Sequence, residues 1–282
     1  MRKAAISLLC AGVLVITLAA PSLATTYSAV CGIPYTGATS NRGIAVNKNA
    51  GSPYYGYFYG VDSNAKVVRI LKPDSGGTSA TSYSDTKNVL SYATQPPSTL
   101  LIHAFVGPDD TVWVTDYNAK QICVGPPGGG DLTPAVTGLA YKPRSVYVTG
   151  NYGAVGTRVY VAECEGTTAT SKCEVFEFDG TNWKRIADLG TLGLSKPWFV
   201  TVDSAGNSYW ASFSTTAPYV KKVNADLTVD NTWTFNKPSF ITSGWTPGGI
   251  AYVHEEDEPA QPDMLYVSGL YQTSCMRFDM SG

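Results

Sequence analysis

Val61-Asp62-Ser63-Asn64-Ala65-Lys66-Val67-Val68-Arg69-Ile70 can be laid directly on Thr115-Asp116-Tyr117-Asn118-Ala119-Lys120-Gln121-Ile122-Cys123-Val124. A β-branched residue, an aspartate, a polar Asn-Ala-Lys turn and an apolar run recur in the same order, so both stretches read as strand, turn, strand. Aromatic and β-branched runs lead in, Tyr57 to Val61 and Thr111 to Thr115. Breakers follow at Lys72-Pro73-Asp74-Ser75-Gly76 and Gly125-Pro126-Pro127-Gly128. Three weaker copies come later. Arg158 to Ala162 turns into Glu174 to Phe178, Ser208 to Ser212 into Tyr219 to Val223, and Met264 to Val267 into Cys275 to Phe278. The strand-end residues Asp62, Asp116, Glu163, Phe213 and Gly269 are spaced by 54, 47, 50 and 56 residues.

A period near fifty marks radial repetition of small sheets. Each unit also has an earlier apolar run for an innermost strand: Gly43 to Val46, Leu101 to Val106, Ser145 to Val148, Trp198 to Val202 and Gly249 to Val253. A four-stranded sheet cannot bury both faces alone, so such units stack face to face around an axis. The expected fold is all-β, a β-propeller of about five to six four-stranded blades spanning residues 41–282, or an incomplete ring. A jelly roll or tandem immunoglobulin-like sandwiches also have short strands, but they do not explain the recurring order. Gly77 to Ser98, Ser/Thr-rich and too long for a plain connection, should hold an outer strand at Val89 to Tyr92. The last unit ends after a third strand, so residues 25–40, with Thr26 to Gly32, are candidates for a ring-closing strand; the alternative is a fragment whose last blades lie beyond Gly282.

Composition agrees with this reading. Only 15% of the 282 residues are charged and 44% are hydrophobic, against about 25% charged in ordinary soluble proteins. The 28 Gly and 17 Pro interrupt helices, while 18 Tyr and 9 Phe suit half-buried strand faces. The net charge of -2 and the absence of a dense Lys/Arg block in the sequence give no footprint for nucleic acid.

Gly107 to Ile122 resembles an NHL-type propeller repeat, and Trp198 to Val223 is similar to it as well. Departures are Tyr59-Gly60 in place of a small apolar pair and the insertion Glu255 to Pro262. The resemblance extends distantly to the regucalcin, gluconolactonase and strictosidine synthase group, some of whose members hold a divalent ion in the axial pocket on carboxylate and amide oxygens. No proline-asparagine-glycine signature of that group occurs in the chain, and no isolated inner-strand glutamate opens the first blade, so the resemblance implies a blade rather than a chemistry.

The first residues read as an export signal. Arg2 and Lys3 precede an apolar run from Ala4 to Ala20, with small residues before a cleavage point after Ala24, so residues 1–24 form a signal peptide. The competing reading is an uncleaved membrane anchor. The mature chain is expected to be secreted, at the cell surface or periplasmic, with no membrane span. Five cysteines then remain in an oxidising compartment. Cys164 and Cys173 flank a polar loop and suit a disulfide across a hairpin; closure of the ring would bring Cys31 to Cys275.

Chemistry-bearing residues are scarce, with two His, at 103 and 254. His103 lies in the inner-strand run Leu101-Ile102-His103-Ala104-Phe105 and can face a central channel. His254-Glu255-Glu256-Asp257-Glu258-Pro259 concentrates carboxylates that could take Ca²⁺, but it lacks alternating ligand spacing and reads as a solvated loop. No cofactor, metal ligand or catalytic residue is expected. Asp109, Asp110 and Asp203 read as turn formers. Rim aromatics are the better binding candidates, because flat rings supply contact area at low entropic cost: Tyr54, Tyr55 and Tyr57 on one loop, Trp245 on another, with His103 in the channel. The resulting expectation is a secreted, non-catalytic propeller that binds a protein or carbohydrate through rim loops. The alternatives are an exported lactonase- or esterase-like hydrolase with a divalent metal in the channel, and a structural module of a larger surface protein.

Overall fold

The computed structural model describes residues 40–74, 83–235, 245–253, 263–270 and 275–280. Among them are five sheets, set around an axis as the blades of a β-propeller, and no α-helix. Blade 1 is β1 (Asn41–Val46), β2 (Phe58–Asp62), β3 (Val67–Pro73) and β4 (Tyr83–Ser91). Blade 2 is β5 (Leu101–Val106), β6 (Val112–Asp116), β7 (Gln121–Gly125) and β9 (Thr133–Val136); between the last two, β8 (Gly130–Asp131) pairs in parallel with β4 of blade 1. Blade 3 is β10 (Pro143–Thr149), β11 (Arg158–Cys164), β12 (Ser171–Phe178) and β13 (Trp183–Asp188). Blade 4 is β14 (Pro197–Val202), β15 (Ser208–Ser212) and β16 (Val220–Val223), and blade 5 is β17 (Thr246–Val253), β18 (Met264–Leu270) and β19 (Cys275–Asp279). Blades 4 and 5 thus show three strands each among the described residues, where four were expected for blade 4 and three for the last unit. The outer strand of blade 1 begins earlier than expected, at Tyr83, and a β-bulge lies in its pairing with β3.

The repeat seen in the sequence is a repeat of packing. Three residues before Asp62, Asp116 and Glu163, and before Ser212, which ends β15 one residue ahead of the expected Phe213, stand Tyr59, Trp113, Tyr160 and Tyr209, all fully or almost fully buried. Each ring joins a core shared with the following blade: Tyr59 with Leu101 and Val114, Trp113 with Val146 and Val161, Tyr160 with Val200 and Val202, Tyr209 with Leu265 and Val267. Period-2 alternation lets each strand contribute to a core on either side, which is why so few positions remain for charge.

The repeated aspartate has a structural task. Asp62 Oδ1 accepts the amide of Ala65 at 3.2 Å, and Asp116 Oδ1 accepts that of Ala119 at 3.2 Å. In both turns the following lysine is left-handed, with φ 58° at Lys66 and 52° at Lys120. Asp116 also accepts the Leu100 amide and the Tyr92 hydroxyl, which ties the turn to the incoming connection of its own blade. Asp116→Ala leaves these donors unpaired in a buried setting and should lower the unfolding free energy by about 2–4 kcal/mol, read as a fall in the urea midpoint.

Close approach at the axis depends on one glycine. A Cβ on Gly43 would stand 2.7 Å from His103 Cα and 2.8 Å from the Ile102 carbonyl oxygen, so only glycine lets β1 lie against β5 here.

The expected Cys164–Cys173 disulfide is absent: both thiols are free and buried. The register places Cys164 opposite Ser171 and Cys173 opposite Ala162, a diagonal offset of two residues that separates the sulfurs beyond bonding reach. The Cys31–Cys275 bond, the signal peptide at 1–24 and the closing strand before residue 40 fall outside the described residues, as do Cys275's side chain and the 254–262 run.

Candidate functional site: the axial cavity and the two mouths of the ring

The innermost strands β1, β5, β10, β14 and β17 all contribute to one cavity of about 600 Å³ on the axis. It opens on the face that carries the loops following these strands. Its wall is mainly apolar and aromatic, with Ile44, Phe105, Val148 and Ile250 beside Tyr147 and Tyr252. Phe105 and Tyr147 meet at 4.4 Å between ring centroids. Among the described residues of the wall, Lys48, exposed at the mouth, is the one Lys, Arg, Asp or Glu.

His103 lines this cavity from β5. Its Nδ1 accepts the Val146 amide at 3.5 Å, which leaves the proton on Nε2 in the neutral ring. Burial pulls its pKa down to about 4, so the imidazole is uncharged at pH 7 and a poor base. Tyr147 is raised above the ordinary tyrosine range, first by burial and then by the fields of Tyr252 and Asp203. It stays a neutral hydroxyl. Tyr252 is raised too, chiefly by burial; its hydroxyl donates to Asp263 Oδ2 at 2.7 Å and is hydrogen-bonded to Ser204 Oγ at 2.9 Å.

The loops around this mouth are linked blade to blade. Asn47 and Asn49 of blade 1 donate to Asp110 Oδ1 at 2.9 and 3.2 Å, and the Tyr152 amide of blade 3 donates to Asp109 Oδ2 at 2.7 Å. Arg158 reaches the Ala225 carbonyl of blade 4 at 3.1 Å, and the Tyr252–Ser204 bond joins blade 5 to blade 4. Asp109 and Asp110 read from sequence as turn residues; the fold uses them as clamps between blades as well. Among the described residues, no group of three or more His, Cys, Asp or Glu side chains is placed to hold a metal ion.

At the opposite end of the inner strands the ring carries cations and aromatics. The Arg144 guanidinium lies between Tyr117 and Trp198, 4.3 and 4.4 Å from their centroids, and so bridges blades 2, 3 and 4. Its Nε donates to the Cys164 carbonyl at 3.2 Å and its Nη2 to the Tyr117 hydroxyl at 2.9 Å. Lys142 covers Tyr117 at 4.9 Å, and Trp198 stacks on Phe213 at 3.6 Å. No local motif marks this cluster in the sequence, since its members come from separate repeats.

Trp245 does not stand on the rim. Trp245 is 1% exposed, packed against Tyr219 and stacked with Phe235, and so belongs to the core between blades 4 and 5. Tyr54, Tyr55 and Tyr57 are half-buried on the loop after β1. Tyr54 meets Tyr57 edge to face at 5.4 Å and reaches Gly128 of blade 2, where a Cβ would stand 2.9 Å from its hydroxyl; Tyr57 packs on the core of blades 1 and 2. Tyr54 and Tyr57 thus pack in the seam between blades 1 and 2.

No protein-family model and no curated protein matches the chain. Solved structures do. The chain is similar to a nidogen/laminin complex structure at 16% identity and TM-score 0.55, covering 86% of this chain and 77% of that one. It is similar to virginiamycin B lyase from Staphylococcus aureus at 14% identity and TM-score 0.56, covering 88% and 69%. A gluconolactonase from Xanthomonas campestris matches at 13% identity and TM-score 0.55, covering 86% and 73%. At such identities the likeness carries the propeller fold alone.

Proposed function

We propose that this chain is an exported, non-catalytic binding propeller that takes an apolar group of a protein or carbohydrate partner into its axial cavity. The observation that carries this reading is the cavity itself, an aromatic pocket of about 600 Å³ with a neutral His103 and neutral tyrosines in its wall. Such a wall gains free energy by desolvating an apolar group and has few polar atoms to activate a bond. The nidogen/laminin complex supports the reading by analogy, as a propeller of similar fold solved with a protein partner. Export is supported by residues 1–24, and N-terminal sequencing of protein recovered from outside the cytosol should start at Thr25. No helix among the described residues is long and apolar enough to cross a membrane.

The cavity is tested with the neutral dye N-phenyl-1-naphthylamine. The protein should bind it saturably at one equivalent, and Ala251→Trp, which fills the pocket from an exposed wall position, should abolish the fluorescence gain while leaving the fold intact. Equal binding by the filled variant removes the cavity as the site. A hydrolase remains the second reading, favoured by His103 in the channel of a fold shared with gluconolactonase. Turnover of p-nitrophenyl acetate that is lost in His103→Ala would reverse the ranking.

A further inference from the structure

We infer that the mouth of the ring opposite the cavity opening is a docking site for an acidic segment of a partner protein, held by Arg42, Lys142, Arg144 and Lys196. These four residues stand at or just before the first residues of three inner strands, β1, β10 and β14. The pairings place the strand starts beside the strand-end residues: Asn41 pairs with Asp62, Pro143 with Glu163 and Pro197 with Ser212. They therefore face one end of the axis. Arg42 lies near enough to Arg144 to oppose its charge.

Among the described residues, none of the four is in an ion pair. The carboxylates at this end are already engaged or withdrawn. Asp62 is paired with Arg69 at 3.1 Å and Glu165 with Lys120 at 2.7 Å, while Asp116 is buried beneath the Tyr92 hydroxyl. Glu163, buried, retains its proton at neutral pH. Like charges gathered without counterions raise the local potential and favour an anionic partner.

The rings decide which anion. Trp198 has Phe213 on one face and the Arg144 guanidinium near its ring, and Tyr117 is contacted by Arg144 and Lys142. They position cations and have little face left on which a sugar or a base could stack. Arg144 spends Nε and Nη2 on the protein and keeps Nη1, and Arg42 is exposed with only Nε engaged, on Ser63 Oγ at 3.4 Å. Spaced guanidinium and ammonium donors around a mouth suit several carboxylates along one extended chain.

The test uses fluorescein-labelled hexa-aspartate, hexa-asparagine of the same length, and a sulfated oligosaccharide, by fluorescence anisotropy at low and high salt. Hexa-aspartate should bind saturably and more weakly at high salt, and hexa-asparagine should not bind. The triple variant R42Q/K142Q/K196Q should bind about tenfold more weakly, the loss expected for three screened contacts. Lys184→Gln, on the outer strand of blade 3, should bind as the parent does. Arg144 is left unchanged because its sandwich joins three blades, and an unaltered melting curve for the triple variant excludes misfolding. Affinity unchanged in the triple variant, equal binding of hexa-asparagine, or tighter binding of the sulfated oligosaccharide would each overturn the inference. None of these outcomes depends on the dye experiment, which reads the other mouth.

Discussion

Trp113→Ala should lower the unfolding free energy by about 4 kcal/mol, one of the largest losses available to a single substitution in this chain. The ring has no exposed surface, lies in the core shared by blades 2 and 3, and meets Trp183 and Tyr152 edge-on, each at 5.6 Å. Truncation removes the transfer energy of a large ring and leaves a cavity between two sheets that strand pairing holds apart, so little collapse can offset it. Trp113→Phe should cost about 1–2 kcal/mol, since a ring remains and the lost indole N–H has no hydrogen-bond partner. Urea midpoints of the two variants check the ratio. Similar losses would mean that the seam tolerates repacking and that the ring at this repeat position is not what joins the blades.

Glu163→Gln should do the reverse and stabilise the protein at neutral and alkaline pH. Glu163 is buried at the end of β11, its Oε2 accepts the Tyr141 amide at 2.6 Å, and Glu174 lies beside it. Glu174 in turn accepts from Arg185 at 2.7 Å and pairs with Lys172 at 3.4 Å, so the neighbouring negative charge is anchored there. Burial first, then Glu174, pushes Glu163 up to about 9. Below the ordinary glutamate value, folded and unfolded chains both hold the proton and stability is complete. As pH rises from there towards 9, the unfolded chain releases a proton that the folded one keeps, and stability falls by about 1.4 kcal/mol per unit. By pH 8 the accumulated loss is on the order of 5 kcal/mol. The amide of Gln cannot ionise and can donate to Glu174, so the variant should gain about that much at pH 8 and nothing at pH 4. Denaturant midpoints at the two pH values decide it: an equal change at both would remove the proton from the account.

Much of the architecture was legible because it is local. The aromatic and β-branched runs Tyr57 to Val61 and Thr111 to Thr115 named the second strands, and the Asp-x-Asn-Ala-Lys turns were readable because an aspartate two to three residues before an amide caps it in any context. The inner strand of blade 2 came out as expected, Leu101–Val106. The outer strands were read less well. Blade 1 borrows β8 from the blade 2 connection, and β4 runs from Tyr83, well ahead of its expected start. Outer strands are amphipathic on a weaker pattern, and their partners are chosen by what lies next to them.

The candidate site divides in the same way. His103 could be placed on the channel because it lies in the innermost strand of its unit. Trp245 was misread as a rim contact, because composition says only that a ring needs apolar surroundings and not whether a ligand or the next blade supplies them. The Cys164–Cys173 pair failed on a register shift of two residues, which loop length does not reveal. The basic mouth is the clearest case. No dense Lys/Arg block exists in the sequence, yet Arg42, Lys142, Arg144 and Lys196 converge at one end of the axis because each opens, or just precedes, an inner strand. The sequence by itself determined the repeat, the turn chemistry and the low charge that stacked blades require, all set by interactions within about ten residues. Only the tertiary structure decided which rings are buried, which carboxyl keeps its proton and where charge accumulates, because those depend on residues far apart in the chain brought together by the arrangement of strands and blades around an axis.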